Sequence, residues 1–152
     1  MGTITTEIII MKLDKLKRED FYFFKSVESR WGDMDALRHI NNAVYLSYFE
    51  SARVEFLDSL GININRWEGD KSVILGKMEI NYLRQSSYPN IYHVGCRISR
   101  LGTKSFDIFS AIFDENNVTP VVTGTFVTVA FNYISQQTIL IPKSVKDAFE
   151  PF

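Results

Sequence analysis

The sequence predicts an α+β domain in which one long helix packs against a strongly curved antiparallel sheet. Three observations carry that reading. Only one stretch, Ala43 to Leu60, has the length and spacing of a long helix. Four strand-like runs follow it, joined by short connections that make the last three antiparallel neighbours. The aromatic load is heavy: 12 Phe, 7 Tyr and 2 Trp make up 14% of the chain, and rings in that number need a large packing surface.

Length and charge bound the rest. A chain of 152 residues supports one domain of ordinary size. With 45% apolar and 23% charged residues it is neither disordered nor collagen-like. Its 17 Lys+Arg against 18 Asp+Glu give a net charge of −1, so no broad cationic surface offers itself to nucleic acid. A single cysteine, Cys96, excludes an intramolecular disulfide and a Cys-based zinc cluster and fits a reducing compartment. The dense apolar run near the N-terminus, Ile8 to Met11, is too short for a signal segment or a membrane span. The expected location is the cytoplasm, with no membrane partner.

No repeat, low-complexity tract or linker divides the chain. Residues 1–20 read as an N-terminal lead-in, its charged part from Lys12 to Asp20 solvated and forming a single helical turn. Residues 21–152 read as one domain. Phe21 to Trp31 is rich in β-prone residues and predicts a first strand. Asn41-Asn42 then offers an N-cap and Gly61 a C-terminal stop for the helix. Within it Tyr45, Phe49, Ala52, Phe56 and Leu60 fall at helical spacing, with Leu46 and Leu57 widening the stripe. At ~1.5 Å per residue the helix is roughly 28 Å long. So wide an apolar arc calls for a sheet that wraps it.

The strands follow in order. Ser72 to Arg84 alternates Met78, Ile80 and Tyr82 with Lys77, Glu79 and Asn81. Asn90 to Leu101 alternates Tyr92, Val94, Cys96 and Ile98 with polar residues. A turn at Leu101–Lys104 leads into Ser105–Asp114, and Glu115–Asn117 turns the chain into Val121–Tyr133. Pro142 predicts the start of a short terminal helix ending near Phe149.

Several chemistries are missing. There is no Gly-x-Ser-x-Gly elbow, no Gly-x-Gly-x-x-Gly loop and no phosphate-binding Gly-x-x-x-x-Gly-Lys. His39 and His93 are the only histidines, which argues against a His-rich metal site; no metal and no cofactor are expected. What remains is the segment Trp31 to Asn42, directly before the long helix. It puts Asp33, Asp35 and His39 in a loop that runs into a helix N-terminus, where backbone N–H groups lack partners and carry partial positive charge. Such a terminus can polarise a carbonyl and hold an oxyanion while a carboxylate attacks the carbonyl carbon or activates water. That pairing suits acyl transfer or the hydrolysis of esters and thioesters. Spacing alone leaves Asp35 open to a second reading, as a loop acid bonding nearby N–H groups. Asp33 reads as structural, pairing with Arg30 or a turn amide. A Mg²⁺ site from the two acids would need further carboxylates or a phosphate.

The segment Arg30-Trp31-Gly32-Asp33-Met34-Asp35-Ala36-Leu37, then His39-Ile40-Asn41-Asn42 and Val44-Tyr45-Leu46 with Tyr48-Phe49-Glu50 and Ala52-Arg53, resembles the 4-hydroxybenzoyl-CoA thioesterase family of hotdog-fold acyl-CoA thioesterases. The likeness runs from about Leu16 to Phe149 in element order. It implies a hotdog fold, a long helix enclosed by an antiparallel sheet, and hydrolysis of an acyl-CoA to the free acid and coenzyme A. It places the catalytic carboxylate on Asp35, as nucleophile or general base, and the oxyanion-holding backbone N–H on Asn42. His39 belongs to the same motif and orients the loop or the thioester. The family's Lys-Ser-Phe falls on Lys104-Ser105-Phe106, which puts Lys104 and Ser105 at the coenzyme A phosphates. The resemblance also implies a homodimer or homotetramer with its active sites at the subunit interface, so that Lys104 can serve the partner's site.

One position departs from the pattern. The family usually has Gly immediately before the histidine, and here it is Arg38. Glycine there permits backbone conformations that cost other residues ~1–2 kcal/mol. The loop is therefore expected to differ, or the guanidinium to cap the substrate entrance. The Tyr45-Phe49-Phe56 stripe reads as core, with Tyr45 also expected to wall the acyl pocket. Glu50 reads as structural, paired with Arg53. Cys96, on the apolar side of its strand, reads as a small hydrophobe. Two alternatives stand beside the main one: a thioesterase acting on acyl-carrier protein, and a hotdog protein that binds acyl-CoA without hydrolysing it, marked by Arg38. A hotdog dehydratase is disfavoured, because the histidine and Pro-rich segment of that group are missing.

Overall fold

The computed structural model describes residues 12–62 and 70–151; the Ile8–Met11 run lies outside them. The long helix, α1 (Val44–Ser59), has its apolar side on the concave face of a single antiparallel sheet. The strands are β1 (Phe23–Glu28), β2 (Lys71–Tyr82), β3 (Ile91–Leu101), β4 (Ser105–Phe113) and β5 (Val122–Asn132). Their spatial order is β1-β3-β4-β5-β2, with β3, β4 and β5 forming the expected meander. This is the hotdog arrangement. A two-residue strand, β6 (Gln137–Thr138), pairs with the end of β5. It is too short to leave a pattern in the sequence. The terminal helix, α2 (Lys143–Asp147), starts directly after Pro142.

Alternation along the strands sorts the aromatics into two groups. Facing α1, Tyr92, Val94, Cys96 and Ile98 of β3 join Phe106, Ile108 and Ile112 of β4 and Phe126 of β5 around Phe49, Ala52 and Phe56 of the helix. Full burial of one such phenylalanine stabilises the fold by about 1.5–3 kcal/mol. Cys96 lies wholly inside this core, 3.3 Å from the Ser110 hydroxyl, and burial pushes its thiol up to about 12. It is a small hydrophobe, as expected.

The convex face carries a second cluster of Leu16, Phe21, Phe109, Ala111 and Phe113, with Leu13 against it. The charged lead-in is therefore not simply solvated: its two leucines cap the outer face of β4, and Arg18 lies over the Phe113 ring at 5.1 Å. Gly95 admits the Phe21 ring, since a β-carbon there would sit 2.7 Å from it. Arg97, almost fully buried, donates to the carbonyls of Asp20 and Glu150 at 2.6 Å each, tying both ends of the chain to β3.

The helix lies over β1, β3 and β4. That leaves the far side of the sheet uncovered: Leu75, Met78 and Tyr82 of β2 are 40%, 42% and 44% exposed. The alternation read in this strand is interrupted by a register shift at Gly76, between Leu75 and Lys77.

Candidate active site

Chain order puts the acidic loop at the N-terminal end of α1. The loop opens with a 3-10 turn, Trp31–Asp33, and closes by an antiparallel bridge between Met34 and Ile40. Inside that bridge Asp35 and Arg38 form a tight turn. The Asp35 N–H donates to the His39 carbonyl (3.0 Å), and the Arg38 N–H to the Asp35 carbonyl (3.0 Å). The Asp35 Oδ1 accepts the Leu37 N–H at 2.9 Å, so the loop-acid reading describes half of this carboxylate. Its other oxygen makes no hydrogen bond among the described residues, and the side chain stands exposed.

Arg38 sits at φ +61°, in the left-handed region. Arg38 thus takes a conformation that glycine adopts freely and that is strained for a residue with a side chain. The Ser87 hydroxyl donates to the Arg38 carbonyl at 2.8 Å and braces the turn.

Asp33 is the opposite of Asp35. It is 2% exposed and accepts from the Arg30 N–H (2.9 Å), the Tyr48 hydroxyl (2.6 Å) and the Arg30 guanidinium (3.2 Å). Burial alone would raise its pKa. Those three donors, Tyr48 foremost, outweigh burial and hold it below the usual carboxylate range. Burial, then the bond to Asp33, pushes the Tyr48 hydroxyl far above its ordinary value.

At the helix start the Asn41 side-chain oxygen accepts the Ala43 N–H at 2.8 Å, and the Asn41 carbonyl accepts that of Val44 at 2.9 Å. Asn42 is exposed, and its own N–H makes no hydrogen bond among the described residues. Its carbonyl is held by the Tyr82 hydroxyl at 2.9 Å. Asp35 and Asn42 are thus both exposed, one on the loop and the other at the start of the helix that follows it. The His39 ring is half-buried on the same loop and makes no hydrogen bond among the described residues. Trp31 stands exposed at its rim, edge-on to Tyr88 at 6.0 Å.

The remaining expected residues lie elsewhere. Tyr45 is in the core, ringed by Tyr48, Tyr82 and Tyr92; burial, then Tyr92, drives its hydroxyl well above the ordinary value. Lys104 lines a cavity of about 880 Å³ at the C-terminal end of α1, together with Lys71, Ile62 and Leu140. The full length of the helix, ~24 Å at 1.5 Å per residue, separates it from Asn42. Ser105 receives the Arg100 guanidinium at 3.1 Å. Among the described residues Glu50 forms no ion pair with Arg53, which instead lies over the Phe126 ring at 4.5 Å. Tyr48, Tyr82, Ser87 and Ser86, whose carbonyl accepts the Ile40 N–H at 2.8 Å, brace the loop, yet nothing in their spacing marks them beforehand.

Residues 29–149 match the profile of the thioesterase-like superfamily. The chain belongs to that superfamily. Among its thioesterase relatives, an acyl-acyl carrier protein thioesterase of Arabidopsis thaliana, ATL3, is 29% identical over 136 residues, covering 85% of this chain and 69% of its own. The solved PA5185 protein of Pseudomonas aeruginosa strain PAO1 is 28% identical with a TM-score of 0.77, over 87% of this chain and 92% of that one. A thioesterase of Thermus thermophilus, solved with coenzyme A and zinc, is also 28% identical, with a TM-score of 0.71 over 84% and 97%. The loop and helix start described above lie within the matched residues of this thioesterase-like chain.

Proposed function

We propose that the protein is an acyl-CoA thioesterase. Superfamily membership supports thioester hydrolysis, and the coenzyme A bound by the similar Thermus enzyme supports the carrier. The observations that support the reading are the exposed Asp35 carboxylate on the loop and, at the start of α1, an Asn42 N–H that makes no hydrogen bond among the described residues. In the general-base route Asp35 takes a proton from water as its oxygen attacks the thioester carbon. The oxyanion forms against the Asn42 N–H, and the C–S bond breaks. The thiolate leaves with the proton from Asp35, giving free acid and coenzyme A. In the nucleophilic route the Asp35 carboxylate attacks the thioester carbon and the C–S bond breaks, releasing the thiolate, which takes a proton from water. A second water then cleaves the mixed anhydride to free acid and the Asp35 carboxylate. His39 orients the thioester, Arg38 stands at the entrance, and Tyr45 backs the acyl pocket.

Lys104 and Ser105 contact the coenzyme A phosphates of a partner's site in a homodimer or homotetramer with its active sites at the interface. Two observations favour this assembly. Lys104 lies at the wrong end of α1 for its own Asp35. The exposed apolar face of β2 belongs to a strand whose outer edge has no pairing partner among the described residues. The cytoplasm is the proposed location.

A thiol-release assay across short, long and aromatic acyl-CoAs tests the activity. Asp35→Asn is expected to lower kcat by at least ~10²-fold without altering the melting temperature. Wild-type turnover by that variant overturns the role of Asp35. The Arabidopsis relative favours a second reading, an acyl-carrier-protein thioesterase. Release from acyl-carrier protein with none from any acyl-CoA selects it, and binding without release selects a non-catalytic acyl-CoA-binding protein.

A further inference from the structure

Asp33 and Tyr48 have no part in the chemistry proposed above, yet the start of the loop, its end and the second turn of α1 are fastened through them. The Asp33 carboxylate takes the Arg30 N–H and guanidinium and the Tyr48 hydroxyl, which fixes the start of the loop to the second turn of α1. Its backbone carbonyl takes the Asn41 N–H at 2.9 Å, which fixes the end of the loop one residue before Asn42. Asp35 follows two residues after Asp33, across the Met34–Ile40 bridge. The segments that carry the two reacting groups are thus both tied to one buried residue, in addition to the bonds from Tyr82 and Ser87.

Tyr48 is held in turn. Its ring packs on Tyr92 at 5.4 Å and edge-on to Tyr45 at 6.0 Å, so the hydroxyl has little freedom to follow a drifting loop. The buried charge on Asp33 adds stiffness, because a bond to an ionised carboxylate is roughly twice as strong as a neutral one. A carboxylate two residues from the base, placed out of reach of solvent and saturated with donors, is poorly suited to proton transfer and well suited to holding geometry.

We infer that Asp33 and Tyr48 are positioning residues, which set the placement of the Asn42 N–H relative to the Asp35 carboxylate and so govern kcat rather than substrate affinity. This rests on the thioesterase reading of Asp35 and Asn42. A misplacement of about 1 Å at a reacting centre can cost on the order of 10²-fold in rate.

The test compares Tyr48→Phe, Asp33→Asn, the double variant and Asp35→Asn in thiol release from the best acyl-CoA of the panel, with amide hydrogen exchange read in parallel. Tyr48→Phe is expected to lower kcat by roughly 10- to 100-fold with KM within about twofold. The double variant should lose no more than Asp33→Asn alone, because both act through one contact. The Asn41 amide should exchange faster in both single variants, while amides of β3 and β4 keep their protection. Exchange is visible in the absence of turnover, so an inactive wild type defeats the thioesterase reading alone. A wild-type kcat in both single variants, or losses that multiply in the double, overturns the positioning role. So does a fall in kcat matched by faster exchange throughout the sheet, which is general destabilisation. If Asp35→Asn stays active while Tyr48→Phe fails, the role of Asp35 falls and the positioning of the helix terminus stands.

Discussion

The two ends of α1 are finished in opposite ways. At the C-terminal end the main chain closes on itself. The Gly61 N–H donates to the Asp58 carbonyl and the Ile62 N–H to that of Leu57, both at 2.9 Å, with Gly61 at φ +78°. That is a Schellman closure, and it satisfies carbonyls that would otherwise be orphaned. At the N-terminal end the Asn41 side chain satisfies Ala43, while the N–H of the exposed Asn42 makes no hydrogen bond among the described residues. Each end also carries one left-handed residue, a glycine at the closed end and an arginine at the open one. The left-handed arginine sets this end apart from the closed one, and it is the end at which the proposed chemistry lies.

The largest expected effect comes from removing that donor. Asn42→Pro deletes an N–H that bonds nothing among the described residues. Loss of one oxyanion donor is worth on the order of 10²–10³ in kcat, about 2.7–4 kcal/mol. The variant is expected to show that loss in thiol release with its helical circular dichroism unchanged. Asn42→Ala, which keeps the N–H, should retain activity. Equal activity in the two variants would remove the distinction between the ends of the helix.

How far this site could be read in advance depends on where its information lies. The helix, the strands and the core were legible, because Phe49, Ala52 and Phe56 repeat at helical spacing and Tyr92, Val94, Cys96 and Ile98 alternate. The candidate residues Asp35 and Asn42 could be named in advance because the loop and the helix start are contiguous in sequence. Tyr48 and Ser87 were not, since each acts through one hydroxyl aimed at a residue 15 or 49 positions away, which no local period reports. The packing of the lead-in was missed for a related reason. Leu13 and Leu16 are two apolar residues in a charged run, too few to form a pattern, yet enough to cap Phe109 and Phe113. The pairing expected of Glu50 and Arg53 rested on their spacing, and Phe126 provides the guanidinium with a ring instead.

A smaller effect belongs to the closed end. A β-carbon on Gly61 would meet nothing within 4 Å, so Gly61→Ala is opposed only by its left-handed backbone. The expected cost is about 1–2 kcal/mol, a fall in melting temperature of roughly 2–8 °C for a domain of this size. The kcat should not change, since the substitution leaves the loop and the Asn42 N–H alone. A variant that loses rate in step with stability would mean that the two ends are coupled through the helix.

The smallest effect is expected at Arg38, and its sign is reversed. Arg38→Gly relieves a left-handed conformation worth about 1–2 kcal/mol, but it also frees the unfolded chain and so offsets part of that gain. The net is a stabilisation of at most about 1 kcal/mol, read as a small rise in melting temperature. The same substitution removes the guanidinium at the loop's rim, so KM for acyl-CoA should rise while kcat holds. Destabilisation would show that the arginine side chain has contacts that outweigh its strain. An unchanged KM would leave the open end of α1 strained for its backbone alone, with the substrate held by groups further from the loop.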